Sequence, residues 1–318
     1  MNSSAIQRFI RLSQITLIFV YLVIIAGSVV RATGSGMGCP DWPKCFGNWI
    51  PPTDVSQLPA DYKEIYAGEH HAVAEFNALN TWVEYVNRLF GAILGVLIFF
   101  QFLFSFRFRK TDISIFRLSF IEFILIGFQG WLGAKVVSSN LAPVKITIHM
   151  VAALIILAVA IAIIHRAKKL NGTAPEKISD PYFRKWSMVI LLLTVIQVML
   201  GTQVREAVDV LLKNFDEVFR PQIADNLGVS FYIHRSFSIL LMLLNTWFVY
   251  KLHKSTASDQ LKNKGKLLLL VLGIAFGAGV ILNYFALPPV FQPIHFLMAC
   301  IAFGLQYRII LMVSEQRA

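Results

Sequence analysis

Charge is scarce in this sequence, and negative charge is scarcer still. Only 15% of its 318 residues are charged, with 18 Asp and Glu against 29 Lys and Arg. That supply is too thin to cover a water-soluble domain of this size. Cysteine is rarer: Cys39 and Cys45 share one short stretch, and Cys300 sits inside an apolar run. A phosphate-cradling glycine loop, a hydrolase triad and a nucleic-acid module are all missing. The net charge of +11 therefore needs an explanation other than binding to nucleic acid.

What the chain has in quantity is apolar surface. Hydrophobic residues make up 56% of it and the mean hydropathy is +0.63, values that identify an integral membrane protein. Runs long enough to cross a bilayer of about 30 Å lie at 13–30, 82–104, 116–137, 146–165, 183–203, 229–250, 266–285 and 291–313. The expected fold is all-α, with eight transmembrane helices. Basic residues such as Arg107, Arg109, Lys110, Lys168, Lys169, Lys251 and Lys254 fall in alternate loops, and the loops between hold few. This positive-inside pattern puts both termini in the cytoplasm and makes the loop after the first helix an outer one. The first run lacks a small-residue cleavage site followed by a soluble domain, so it reads as a retained helix.

The chain also repeats itself. Tyr232 and Arg235 stand 147 positions after Tyr85 and Arg88, and Pro289 and His295 stand 146 positions after Pro143 and His149. Two offsets this close indicate a duplicated unit. The expected organisation is two repeated four-helix bundles: an N-terminal half over 1–165 with a long outer loop over 31–80, a basic cytoplasmic linker over 166–185, and a C-terminal half over 186–318. Arg205 at the end of the fifth run matches Arg31 at the end of the first.

Even-numbered helices run from outside to inside, which places Asn87, His149, His234 and His295 in first turns at similar depth near the outer face. A single histidine on an apolar helix is more often a satisfied core residue than a ligand. Three at matching depth point to ligands, and imidazoles from facing helices suit a low-spin haem iron within a four-helix unit. Arg31, Arg88, Arg205 and Arg235 share that side; Arg88 and Arg235 sit at helix N-termini against the dipole, where haem propionates would neutralise them, and snorkelling to the lipid interface is the alternative. Glu84, four residues before Arg88, reads either as a functional carboxylate or as a partner of the helix dipole. Gln129 hydrogen-bonds within the bundle, its neighbouring glycines let helices approach closely, and Glu122 faces the interface. Cys300 reads as a small buried hydrophobe.

The loop from Ser35 to Cys45 is rich in glycine and proline, so it reads as an ordered, turn-rich segment. Cys39 and Cys45 lie on the oxidising side, and a disulfide closing the loop is the favoured reading. Unpaired thiols, a redox-active pair, and a zinc site shared with His70 and His71 are the alternatives.

In combination, these segments resemble the haem A synthase family over nearly the whole chain. They are the Val-Arg-Ala-Thr-Gly-Ser-Gly ending of the first helix, the Cys-Pro-Asp-Trp-Pro-Lys-Cys loop, Glu84-Tyr85 with Arg88, Gln129 among its glycines, and the Pro-to-His spacing before His149 and His295. The resemblance implies a haem b cofactor held by His234 and His295, with Arg205 and Arg235 beside it. It also implies a substrate site for haem O in the N-terminal half, built from His149, Asn87, Arg31, Arg88 and Gln129. The implied reaction is an oxidation of the haem O methyl at C8 to the formyl group of haem A, with Glu84 as the catalytic carboxylate.

By the same resemblance the chain is a multi-pass protein of the bacterial inner membrane, with its haem sites toward the outer face. Its expected partners are membrane lipid, a haem O synthase as supplier, a haem-copper oxidase as recipient, an unidentified electron donor and a second copy of the chain in a homo-oligomer; no nucleic acid is expected. The family pattern has a histidine three residues after the glutamate, where this sequence has Asn87. His149 is therefore expected to ligate the substrate iron alone. A bis-His cytochrome b that only transfers electrons, and a transporter of two parallel repeats, are the rival classes.

Overall fold

A computed structural model of the chain describes residues 3–67, 75–139, 141–173, 178–214 and 226–314. Its helices are α1 (Ser3–Ala32), a single turn α2 (Tyr62–Ile65), α3 (Ala78–Ser105), α4 (Ile113–Ser138), α5 (Pro143–Leu170), α6 (Pro181–Asn214), α7 (Gly228–Lys254), α8 (Asp259–Tyr284) and α9 (Phe291–Met312). Residues 178–179 pair in parallel with 313–314 in a two-residue ladder. His70 and His71 lie outside the described residues, so the zinc alternative falls there too.

Local sequence sets the helix ends. Asn77 and Asp112 cap α3 and α4 by accepting from the backbone N–H groups of Asn80 and Ser114, and Asp180 accepts from Tyr182 ahead of α6. Each cap satisfies a donor that the helix itself leaves open. Pro143 occupies the first turn of α5, where its missing N–H costs nothing. Gly34 and Gly172, at φ 69° and 70°, follow the ends of α1 and α5, a backbone turn that residues with a Cβ resist.

Among the described residues, seven helices are long and apolar enough to cross a membrane: α1, α3, α4, α5, α6, α8 and α9. The protein is thus a multi-pass, all-helical membrane protein. The remaining expected span, 229–250, is a helix of 27 residues, but Ser230, His234, Arg235, Ser236 and Ser238 make its first half too polar to qualify. It packs between α6 and α8, which do qualify. Helix ends also depart from expectation: the runs at 13–30 and 183–203 are only parts of α1 and α6. Hydropathy marks the apolar portion, whereas backbone hydrogen bonding continues into charged ends such as Arg8, Arg205 and Asp209.

Each helix packs on its sequence neighbour within two groups, α1 with α3 to α5 and α6 with α7 to α9, and the groups meet through α1, α5, α6 and α9. Val20 and Ile24 of α1, Leu94 and Ile98 of α3, Leu157 of α5, Val198 of α6, and Cys300 and Phe303 of α9 form one apolar cluster across that junction. Lipid is as apolar as these side chains, so shape fit and close approach hold the helices together. Gly304 of α9 gives such an approach, letting the Tyr21 hydroxyl of α1 rest against its backbone. Glu122 departs from the sequence expectation: it is fully buried and accepts a hydrogen bond from Gln101 of α3. A carboxyl at membrane depth finds an amide partner in place of lipid.

Candidate functional site

A cavity of about 2080 Å³ lies between the two helix groups, at the end that carries the Ser35–Cys45 loop; Glu84, Asn87, His149, His234 and His295 all line it. Pockets for drug-sized ligands reach only about 1,000 Å³, so there is room here for two large ligands.

His234 of α7 and His295 of α9 face each other with ring centroids 6.2 Å apart and ring planes at 69°. A metal–imidazole nitrogen bond is about 2 Å, so two rings on opposite sides of one ion have centroids about 6.3 Å apart. The pair therefore fits bis-imidazole ligation. His295 Nδ1 lies 2.7 Å from the Ala275 carbonyl oxygen. An acceptor there fixes the proton on Nδ1 and leaves Nε2 with the lone pair that a metal needs.

Glycines back all three expected ligands and Asn87, which stands where a fourth would be. A Cβ at Gly133 would lie 3.5 Å from His149 Cε1, at Gly201 3.2 Å from His234 Cε1, at Gly279 3.2 Å from His295 Cε1, and at Gly27 3.7 Å from Asn87 Oδ1. Each ring or amide thus comes close to the backbone of a neighbouring helix. Gly27 and Gly201 differ by 174 positions, as Arg31 and Arg205 do, and Gly133 and Gly279 by 146, as His149 and His295 do. Sequence reasoning missed Gly27, Gly201 and Gly279 as ligand supports, although these shared offsets were the available signal.

Cys39 and Cys45 form a disulfide, as favoured from the sequence, and the loop they close docks on the first turns of α3. Glu84 is buried at 3% exposure. Its Oε2 accepts from the Cys39 N–H at 3.0 Å, and its Oε1 accepts from Arg88 Nη2 at 2.6 Å and Nε at 3.2 Å. Arg88 also donates to the carbonyls of Cys39, Asp41 and Lys44 at 3.0, 2.6 and 2.9 Å. These bonds commit every guanidinium nitrogen, so the propionate contact expected of Arg88 is replaced by a tie between loop and helix. Charge-assisted bonds offset the desolvation of the buried pair.

Gly38 allows this docking. A Cβ there would stand 2.5 Å from the Asn80 carbonyl oxygen and 2.8 Å from the Thr81 nitrogen, backbone atoms that cannot swing aside. Gly38→Ala is expected to cost about 1–3 kcal/mol through overpacking and to lift the loop from α3. Limited proteolysis of the purified protein, with cleavage mapped to the loop, checks this; an uncleaved loop refutes it.

The other arginines also have protein partners. Arg31 of α1 and Arg205 of α6 both pair with Asp209, at 3.1 and 2.8 Å, and Arg205 reaches Gln292 of α9 at 2.8 Å. Asp209, which the sequence reading did not single out, thereby ties the two helix groups at the cavity. Arg235 is exposed and stacks over Phe231 and Tyr232, 5.6 and 5.2 Å from their ring centroids. Gln129 donates to the His149 carbonyl at 2.9 Å, and Gln197, also missed from sequence, donates to the His234 carbonyl at 3.0 Å.

This chain is similar to several known proteins. The haem A synthase of Shouchella clausii is 26% identical over 321 residues, covering 97% of this chain and 98% of that protein. That of Flavobacterium johnsoniae is 23% identical over 318 residues, covering 89% and 91%. That of Shewanella oneidensis is 28% identical over 190 residues, and the match spans 60% of this chain but only 54% of that relative's length. A family model described as cytochrome oxidase assembly protein matches residues 11–307. With nearly the whole chain matched, the protein belongs to the cytochrome oxidase assembly protein family, the family of the haem A synthases.

Proposed function

We propose that this protein is a haem A synthase, an oxidoreductase that converts the C8 methyl of haem O to the formyl group of haem A. The observation that carries this reading is the His234–His295 pair, 6.2 Å between ring centres, in a cavity shared with Glu84 and His149. The activity named for the similar proteins supports it. In this reading His234 and His295 hold haem b in the C-terminal half, and His149 holds the substrate haem O in the N-terminal half. When bound, haem b supplies one-electron transfer. Asn87 offers only an amide oxygen, a weak iron ligand, and that oxygen is buried without a protein partner. The substrate is therefore gripped from one side.

Glu84 has both oxygens accepting hydrogen bonds from fixed donors, the Cys39 N–H and Arg88. Its role is to stabilise positive charge that develops at the reacting carbon, a preorganised electrostatic contribution. Trp42, Pro43 and Trp49 of the loop line the cavity mouth and exclude water there. Arg31 and Arg205 reach propionates by exchanging Asp209. The duplicated eight-helix reading is supported by the shared offsets of the glycines and by the position of α7 between two spanning helices. Basic loops on one side support cytoplasmic termini and sites facing outward from a bacterial inner membrane. A haem O synthase supplies the substrate and a haem-copper oxidase receives the product. Methyl to formyl is a four-electron oxidation that adds one oxygen atom; with dioxygen as the oxidant, two O2 and four electrons and four protons from a donor give the formyl group and three waters.

One observation favours a second reading: Asn87 stands where an imidazole partner for His149 is expected, and a cytochrome b that only transfers electrons through its histidine pair needs no substrate haem in that half. Co-expression with a haem O supply, followed by pigment extraction, separates the two. Haem A in the extract is the expected result. Haem b alone would favour electron transfer, and absence of any haem would reject both.

A further inference from the structure

Two glutamines stand in the same relation to two of the histidines. Gln129 of α4 precedes Gly133 by four residues, and Gln197 of α6 precedes Gly201 by four. In each case the glycine faces the imidazole of a histidine on the next helix, and the glutamine Nε2 donates to that same histidine's backbone carbonyl. Residues four apart sit one turn apart on one helical face. One turn of helix therefore holds each histidine at two points.

The arrangement leaves atoms over. Gln129 Oε1 and His149 Nδ1 are buried with no hydrogen-bond partner, and so are Gln197 Oε1 and His234 Nδ1. Each glutamine thus keeps an unused acceptor one helical turn from the glycine that meets a ring with an unused nitrogen, with no hydrogen bond joining the two, and buried polar groups seldom stay unpaired. His295 shows the finished form. Its Nδ1 is bonded to the carbonyl of Ala275, and Ala275 precedes Gly279 by four residues. At the position that corresponds to Ala275, four residues before the glycine, the other two helices carry Gln129 and Gln197. A ligating histidine donates its second ring N–H to an outer acceptor, which orients the ring and raises its basicity.

We propose that Gln129 and Gln197 are positioning residues for His149 and His234: each uses Nε2 to hold the histidine's carbonyl and Oε1 to accept the Nδ1–H of its ligating imidazole. The proposal rests on the reading of His234 and His295 as haem ligands. It adds that His234 has a side-chain acceptor open to change, whereas His295 has a backbone one. The potential of the C-terminal haem is then tunable at residue 197 and indifferent to residue 129.

The test is a redox titration of the haem spectrum in the purified full-length protein and its variants. Gln197→Leu removes the acceptor, so the midpoint potential is expected to rise. Gln197→Glu places a negative charge against Nδ1–H, so the potential is expected to fall below that of wild type. Gln129→Leu is expected to leave this potential unchanged. Equal potentials in wild type and Gln197→Leu, with haem retained, would overturn the proposal while leaving the ligand assignment intact. If Gln197→Leu loses its haem, Gln197→Glu decides, and a potential at or above wild type overturns it. Loss of haem from both variants also overturns it, because a purely structural tie to the His234 carbonyl predicts that result. A wild-type protein without bis-histidine haem rejects the ligand reading itself, and the proposal with it.

Discussion

Glu84→Gln is expected to keep the bis-histidine haem spectrum and lose haem A formation, by about 10²–10³-fold, the scale on which a preorganised electrostatic group contributes. The substitution keeps the shape of the side chain and removes its charge. His234 and His295 lie on α7 and α9, away from the loop tie, so the spectrum reports on a part of the molecule that the change does not touch. The complication is that Glu84 also helps to seat the loop. Arg88 keeps its bonds to three loop carbonyls in the variant, which limits the displacement. Thr81→Val is the control, because Thr81 Oγ1 donates to the Gly38 carbonyl at 2.9 Å and its loss weakens docking without altering charge. Pigment analysis of both variants decides the matter. An equal loss in Thr81→Val would assign Glu84 to docking, and full haem A production by Glu84→Gln would reject the catalytic role.

His234→Ala and His295→Ala are each expected to abolish the low-spin haem spectrum, whereas His149→Ala keeps most of it. Either alanine leaves the iron with one protein ligand and a cavity of one ring's volume. The asymmetry among the three variants follows from geometry: among the described residues His234 and His295 are the histidines that form a facing ring pair, and Asn87 stands where a partner for His149 is expected. Visible spectra of the three purified variants check this. Loss of the low-spin signal in His149→Ala alone would exchange the roles of the two halves.

Much of this site could be read along the chain because its signals are one-dimensional. Apolar runs declare membrane helices, since a bilayer demands a fixed length of apolar residues whatever the helix packs against. The matching offsets of Arg88 and Arg235, and of His149 and His295, are legible as spacing alone. Cys39 and Cys45 are close enough in sequence, with Gly and Pro around them, for a loop-closing bridge to be the natural expectation. The one weak span, α7, is weak for the same reason: polar residues such as His234 and Arg235 reduce the very signal that identifies a membrane span.

What only the tertiary structure decided depends on contacts between helices. Arg88 was expected at a propionate, yet the docked loop brings three carbonyls to it from residues 44 to 49 positions away. Asp209 meets Arg31 across 178 positions, and Gln197 meets His234 across 37. No periodicity in the chain records such meetings. They follow from how helices rotate about their axes when they pack, and that rotation is set by which small residues permit close approach. Gly133 reads in sequence as a packing residue; in the fold it, Gly201 and Gly279 each meet an imidazole closely. Residue type and depth in the membrane were thus determined locally, whereas partner choice was decided by helix rotation, a property of the whole packed bundle.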